Sequence, residues 1–303
     1  MKKLISIIVL ALLLLSSSAF ADEDSFLITA PDGAPAVSIV SLYDEMPDNV
    51  RIISADTIAA EFAKGESDFL IAPVNAGARL FNAGKSDYRL AAVVTWGNLV
   101  FASQINQFSI DMINQSKITL FGENTINASV ALYVLEMNGI NPSEIEYLAT
   151  AKNTQELLLN DPEAIVLTAE PIITIAKMKN DAITSYSLNQ YYEKATGYDG
   201  YAQAGLFVNG RLIKEKPEKI REWLEIIRNS VDKCSSDVDE VAKKSVQLSI
   251  LPNEKVAVLA IPGCGIKYLQ SAEVKEQIIA TANIDIEQFG GKLPSDNFYY
   301  DAR

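Results

Sequence analysis

From residue 26 onward the sequence alternates short apolar runs with segments of helical period, and Pro, Gly or a capping residue marks most of the changes. Phe26–Ala30 is a strand ended by Pro31-Asp32-Gly33, and Ala34 to Glu45 carries Val37, Val40 and Leu42 at helical spacing. Val50–Ile53 is a second strand. Asp56 is placed to cap a helix with Ile58, Ala59 and Phe62 on its apolar face. Asp68–Ala72 is a third strand, turning at Pro73 into a helix that ends near Gly84; Arg89–Thr95 and Leu99–Ser103 supply two more strands. Parallel strands need crossover connections, so this order predicts an α/β fold with mostly parallel sheets flanked by helices.

A second cycle repeats the pattern. Lys117–Phe121 is a strand, Gly122–Thr125 leads into a helix over Ile126–Asn138, Glu144–Leu148 is a strand, and Thr154–Leu159 is a short helix. Ala164–Thr168 is a strand, after which Glu170-Pro171 opens a helix to about Lys179. The stretch Tyr186–Asp199 is polar and tyrosine-rich with weak periodicity. Ala204–Val208 is again a strand, and from Pro217 the chain reads as mainly helical, with an apolar stripe of Ile220, Trp223, Leu224, Ile227 and Val231. Two cycles joined by extended segments predict two lobes around a cleft. The expected division is 22–105 plus 202–303 for a discontinuous first lobe and 106–201 for the second, with joints at Ser103–Phe108 and Ser187–Tyr201.

The first 21 residues read as a signal peptide. Met1-Lys2-Lys3 is a basic start, Leu4–Leu15 is a stretch of 12 residues that is apolar apart from Ser6, and Ala19-Phe20-Ala21 is a cleavage site. The stretch is short for a membrane span. Export to a bacterial periplasm as a soluble chain is the expectation, and in that oxidising compartment Cys234 and Cys264 are expected to pair as a disulfide. Composition then removes whole classes of chemistry. With no His, a Ser-His-Asp or Cys-His nucleophile system and a His-ligated metal site are excluded; no metal or cofactor is expected. A formal charge of −13 argues against nucleic acid.

The order of Ile28-Thr-Ala-Pro-Asp-Gly-Ala-Pro-Ala36, Ser54-Ala-Asp-Thr57, Phe69-Leu-Ile-Ala-Pro-Val-Asn75, Ala92-Val-Val-Thr-Trp-Gly-Asn98 and Phe121-Gly-Glu-Asn124 resembles a type II periplasmic solute-binding protein. It is similar to the substrate-binding components of ABC importers for nitrate, sulfonates and thiamine-pyrimidine precursors. The resemblance spans the chain after residue 21. It implies a two-lobed monomer that closes on a small solute and delivers it to a membrane permease, and it implies no catalysis.

In open α/β sheets ligands bind beyond the carboxyl ends of the strands, where loops feed helix N-termini. That rule nominates Asp32, Gly33 and Ala34 after the first strand, Asn75 after the third, and Trp96 and Asn98 between the fourth and fifth. In the second lobe it nominates Asn124, Thr125, Thr168 and Glu170. Asp56 is a helix cap or a ligand contact, and Tyr198 is a surface residue or an aromatic cover. Trp96 beside Gly97 reads as core packing or as a flat wall for a ring. Carboxylates stand at these loops where no Lys or Arg does, which favours an amino-substituted heterocycle or neutral polar solute, thiamine-precursor-like, over an oxyanion or sulfonate. A ligand-presenting sensor for a membrane receptor and a His-free exported enzyme are the other readings. No paired carboxylates at a catalytic spacing support the last.

Overall fold

The computed structural model describes residues 25–301, so the signal peptide read at 1–21 lies outside the described residues. Eleven strands among these residues form two sheets. The first contains β1 (Ile28–Pro31), β2 (Val50–Ile53), β3 (Phe69–Pro73), β4 (Arg89–Thr95), β10 (Ala204–Val208) and β11 (Ile266–Gln270), in the order β11-β4-β10-β3-β1-β2. The second contains β5 (Leu99–Ser103), β6 (Lys117–Phe121), β7 (Glu144–Leu148), β8 (Ile165–Ala169) and β9 (Thr184–Ser187), in the order β7-β6-β8-β5-β9.

Both sheets are mixed, and the reversed strands explain how they are joined. Parallel pairing holds for β2-β1-β3 and β7-β6-β8, as the sequence pattern predicts. β10 runs antiparallel to both β3 and β4, and β5 runs antiparallel to both β8 and β9. Each reversed strand is the first one laid down after the chain crosses from the other sheet. The outward crossing is Trp96–Asn98, between β4 and β5, so Leu99–Ser103 belongs to the second sheet and not to the first lobe where the sequence reading put it. β9 and the helix Leu188–Thr196 occupy the stretch that showed weak periodicity, and β11 interrupts the segment expected to be helical.

The sheet interiors follow the parallel-strand rule of continuous apolar runs. Phe69 to Ala72 and Ile165 to Ala169 are buried throughout. The helix Pro217–Ser236 covers the first sheet with its apolar stripe, where Trp223 stacks on Phe69 at 6.1 Å between ring centroids. The helix Ile126–Met137 presents Val130, Ala131, Val134 and Leu135 to a core cluster that draws residues from both sheets. The segment Ala34–Glu45 is not one helix but the short helix Ala34–Val37 followed by a 3-10 turn at Val40–Leu42.

The expected disulfide is absent. Cys234 and Cys264 are both buried free thiols. Cys234 Sγ donates to Val37 O and Cys264 Sγ to Ala260 O, so each thiol is satisfied by a backbone carbonyl instead of by its counterpart. Burial pushes the Cys234 thiol up to about 12 and raises that of Cys264 further, which suppresses the thiolate in both.

Candidate functional site

A cleft of about 560 Å³ lies where the carboxyl ends of the two sheets face each other. The first sheet contributes the ends of β1, β3 and β4 through Pro31, Pro73 and Thr95, and the second contributes β6 and β8 through Phe121 and Ala169. Both reversed strands begin there as well, which brings Asn98 and Gln203 from the two crossings into the wall.

Of the residues nominated from sequence, Asp32, Gly33, Ala34, Asn75, Asn98, Thr125 and Glu170 line this cleft. Their local geometry follows from the strand-to-helix turns. Gly33 stands at φ +92° before the helix Ala34–Val37, and Asp32 Oδ1 accepts from the Ala55 N–H at 3.2 Å, tying two first-half loops together. Thr125 Oγ1 donates to Gly122 O at 2.6 Å and makes no side-chain cap, so the first N–H groups of Ile126–Met137 meet the cleft uncapped. Asn98 holds three parts together. Its Nδ2 donates to Glu170 O at 2.8 Å, its carbonyl accepts from the Glu170 N–H at 2.9 Å, and its Oδ1 accepts from Gln203 Nε2 at 3.0 Å.

Five nominated residues sit elsewhere, each for a visible reason. Trp96 is 4% exposed and its Nε1 donates to Lys267 O at 3.0 Å, so its ring is turned to a separate cavity of about 360 Å³ that also includes Asn189 and Lys267. Thr168 is fully buried with Oγ1 donating to Ala151 O, because the strand's alternation turns it away from the loop that follows. Asp56 is exposed within the 3-10 turn Ala55–Thr57 and makes no side-chain cap. Asn124, at φ +58°, offers its carbonyl to Gln288 Nε2 at 2.8 Å, while Tyr198 packs partly buried against the core.

Phe121, Asn127, Gln203 and Gln288 complete the polar and aromatic lining. Asn127 lies in the first turn of its helix, a position that the helix-start rule could have flagged. Its Oδ1 accepts from the OH of Tyr201, a fully buried residue on the return crossing, at 3.2 Å. Gln288 lies in the 3-10 segment Ile286–Phe289, held to the first half by Asn82 Nδ2 donating to Phe289 O, and no strand-end signal marks it. The Gln288–Asn124 hydrogen bond and a 2.6 Å bond from Ser129 Oγ to Asp285 Oδ2 link that segment to the second half.

Electrostatically the cleft is acidic. Asp32 and Glu170 line it, and no Lys or Arg is among the described lining residues. Burial raises the Glu170 carboxyl above the ordinary carboxylate range, overcoming the hydrogen bonds from Thr174 and the charge of Lys177. No group of His, Cys, Asp and Glu among the described residues could hold a metal ion, and no helix among them is long and apolar enough to cross a membrane.

The crossings next to the cleft are tightly built. The Trp96 N–H donates to Gly265 O, and Asn189 Nδ2 donates to the carbonyls of Trp96 and Gly97. Gly97 has φ +77°, and a Cβ there would fall 2.5 Å from both Tyr201 Cε1 and Asn189 Oδ1. Only glycine lets the outward crossing lie against the tyrosine of the return crossing.

No protein-family model matches the chain, and none of the curated proteins compared with it does. Solved structures do match. A Parabacteroides distasonis protein described as an ABC transporter superposes with a TM-score of 0.78 at 20% identity, over 93% of this chain and 100% of that one. The periplasmic aliphatic sulphonate binding protein of Escherichia coli superposes at 0.72 and 11% identity, over 92% of each chain. The zinc-bound ligand binding component of an ABC-type import system from Staphylococcus aureus superposes at 0.69 and 10% identity, over 91% of this chain and 96% of that one. Two mixed sheets flanked by helices, facing each other across a cleft, give this chain the fold of the type II periplasmic solute-binding proteins.

Proposed function

We propose that the protein is the extracytoplasmic solute-binding component of an ABC importer, which captures a small solute in the cleft and presents it to a membrane permease. The observation that carries this reading is the cleft itself. It has the volume of a small-molecule site and draws its lining from the strand ends of both sheets, with amide, hydroxyl and carboxyl side chains set in a largely apolar wall. A solute that bridges the two halves gains contacts that exist only when they are together, and so favours that state. On this reading the chain works as a periplasmic monomer, with lobes that correspond to the two sheets.

Within that function, a thiamine-precursor-like heteroaromatic solute is favoured. Phe121, rather than Trp96, supplies the aromatic surface. Asn75, Asn98, Asn127, Gln203 and Gln288 offer neutral donors and acceptors suited to a polar ring. An oxyanion is the second reading, favoured by the uncapped start of Ile126–Met137 and opposed by the two carboxylates. Native mass spectrometry of protein purified without refolding tests the function. A small molecule retained at one per chain, and returned unchanged on denaturation, is the expected result. Conversion of a retained compound would point to an enzyme instead.

A further inference from the structure

Glu170 stands at the carboxyl end of β8 and lines the cleft. Its Oε1 accepts from Thr174 Oγ1 at 2.9 Å, while its Oε2 is buried without a hydrogen-bond partner. The opposite half reaches the same side chain. A Cβ at Gly263 would lie 3.0 Å from Glu170 Cγ and 3.3 Å from Oε1, so the backbone at position 263 packs closely against this carboxyl. A carboxyl enclosed in this way loses its hydration and recovers in exchange only the hydroxyl and backbone N–H of Thr174, both of which leave Oε2 unpaired. The charged and titratable groups in its field are Lys177 and the buried Cys264 thiol, and neither forms a hydrogen bond or ion pair with Oε2. Asp32 is the only other acid among the described lining and no basic residue is there, so the lining side chains supply no donor to Oε2.

We infer that Glu170 is the specificity-determining residue of the cleft, selecting a solute that carries a hydrogen-bond-donating, cation-prone nitrogen and making closure of the halves conditional on it. The inference rests on the solute-binding reading and narrows its ligand. A nitrogen donor satisfies Oε2 and offsets the desolvation that closure imposes. A bare oxyanion offers Oε2 no donor and opposes the ionised carboxylate that a cationic nitrogen would hold in place. The uncapped start of Ile126–Met137 does not require an anion, because those N–H groups are equally served by a neutral carbonyl or hydroxyl on the far end of the solute.

The matched ring compounds benzamidine, benzamide and benzoate test this by calorimetric titration against the parent protein and Glu170→Gln. Alongside them, native mass spectrometry identifies any solute carried through purification. In the parent, benzamidine is expected to bind tightest and benzoate weakest. Glu170→Gln, with a cooperative melting transition retained, should lose about 10- to 100-fold in affinity for benzamidine, the range of a charge-assisted hydrogen bond. It should leave benzamide within a few-fold. Benzoate binding as tightly as benzamidine, or an unchanged preference in Glu170→Gln, would overturn the inference. A carried solute with a donor nitrogen supports it even if all three rings are too weak to measure. A carried oxyanion overturns the inference while leaving the solute-binding reading intact. No carried solute and no binding by any ring would overturn that reading itself.

Discussion

Trp96 and Glu170 lie on either side of Asn98, yet their surroundings are opposite. Each polar atom of Trp96 has a protein partner: its N–H meets Gly265, its indole N–H meets Lys267, and its carbonyl meets Asn189. Glu170 has its backbone fixed by Asn98, while one carboxyl oxygen is left without any partner. One side of the crossing is finished by the protein alone. The other leaves a carboxyl oxygen to which the protein supplies no donor. An aromatic ring at a strand end therefore says little about ligand contact until its polar atoms are accounted for.

The comparison is broken hardest by truncating its saturated side. Trp96→Ala removes a buried ring and should cost about 3–5 kcal/mol in denaturant unfolding. The affinity of the molecules that remain folded should be unchanged, and weakened binding at full stability would move Trp96 into the ligand site. Gly97→Ala should cost about 2–4 kcal/mol by the same measurement, from overpacking against Tyr201 and a positive φ. Tyr201→Phe removes one hydrogen bond, for about 1 kcal/mol of stability, and frees Asn127, so that solute affinity falls about 2- to 10-fold. Tyr201 is a positioning residue on this account, and an affinity unchanged in Tyr201→Phe would leave it purely structural.

The unsatisfied side is probed by pH. Because burial raises the Glu170 carboxyl, folding of the ligand-free protein favours its protonated form. The stability it contributes is full below the ordinary carboxylate value and is lost as pH rises through the raised one. Glu170→Gln should flatten that part of a thermal-melt pH series. Asp68, raised by burial as well, keeps a residual slope. The smallest effect is expected at the thiols, where reductant should leave the melting midpoint unchanged and the unfolded chain should titrate two free sulfhydryls.

Most strands were legible because a buried parallel strand is an uninterrupted apolar run, as in Phe69–Ala72 and Ile165–Ala169. Thr184–Ser187 was not legible, since three of its four side chains are small and polar and none is buried at the sheet's edge. The strand Leu99–Ser103 was readable but not its sheet, because nothing in an apolar run states which neighbour it will pair with. At the site, the strand-end rule located the loops but could not say which residue of a loop faces inward. It therefore reached Asn98 and Glu170 together with Trp96 and Thr168. The same rule reaches Gln203 only once the reversal of β10 is known, since a reversed strand brings its beginning to the cleft.

The helix Lys275–Ile284 has a consequence for motion. After β11 in the first sheet, the chain packs this helix beside Ile126–Met137 of the second half, where Thr281 Oγ1 accepts from the Ala202 N–H, and then returns to the first half at Phe289. The halves are thus tied by the two crossings and, as a third tether, by this out-and-back excursion of the chain. Bodies tethered at three places have little room to slide or twist past each other, and the motion expected to survive is a swing about the tethered region. The mouth of the cleft should open as a single angle, with a stop set by the reach of the third tether.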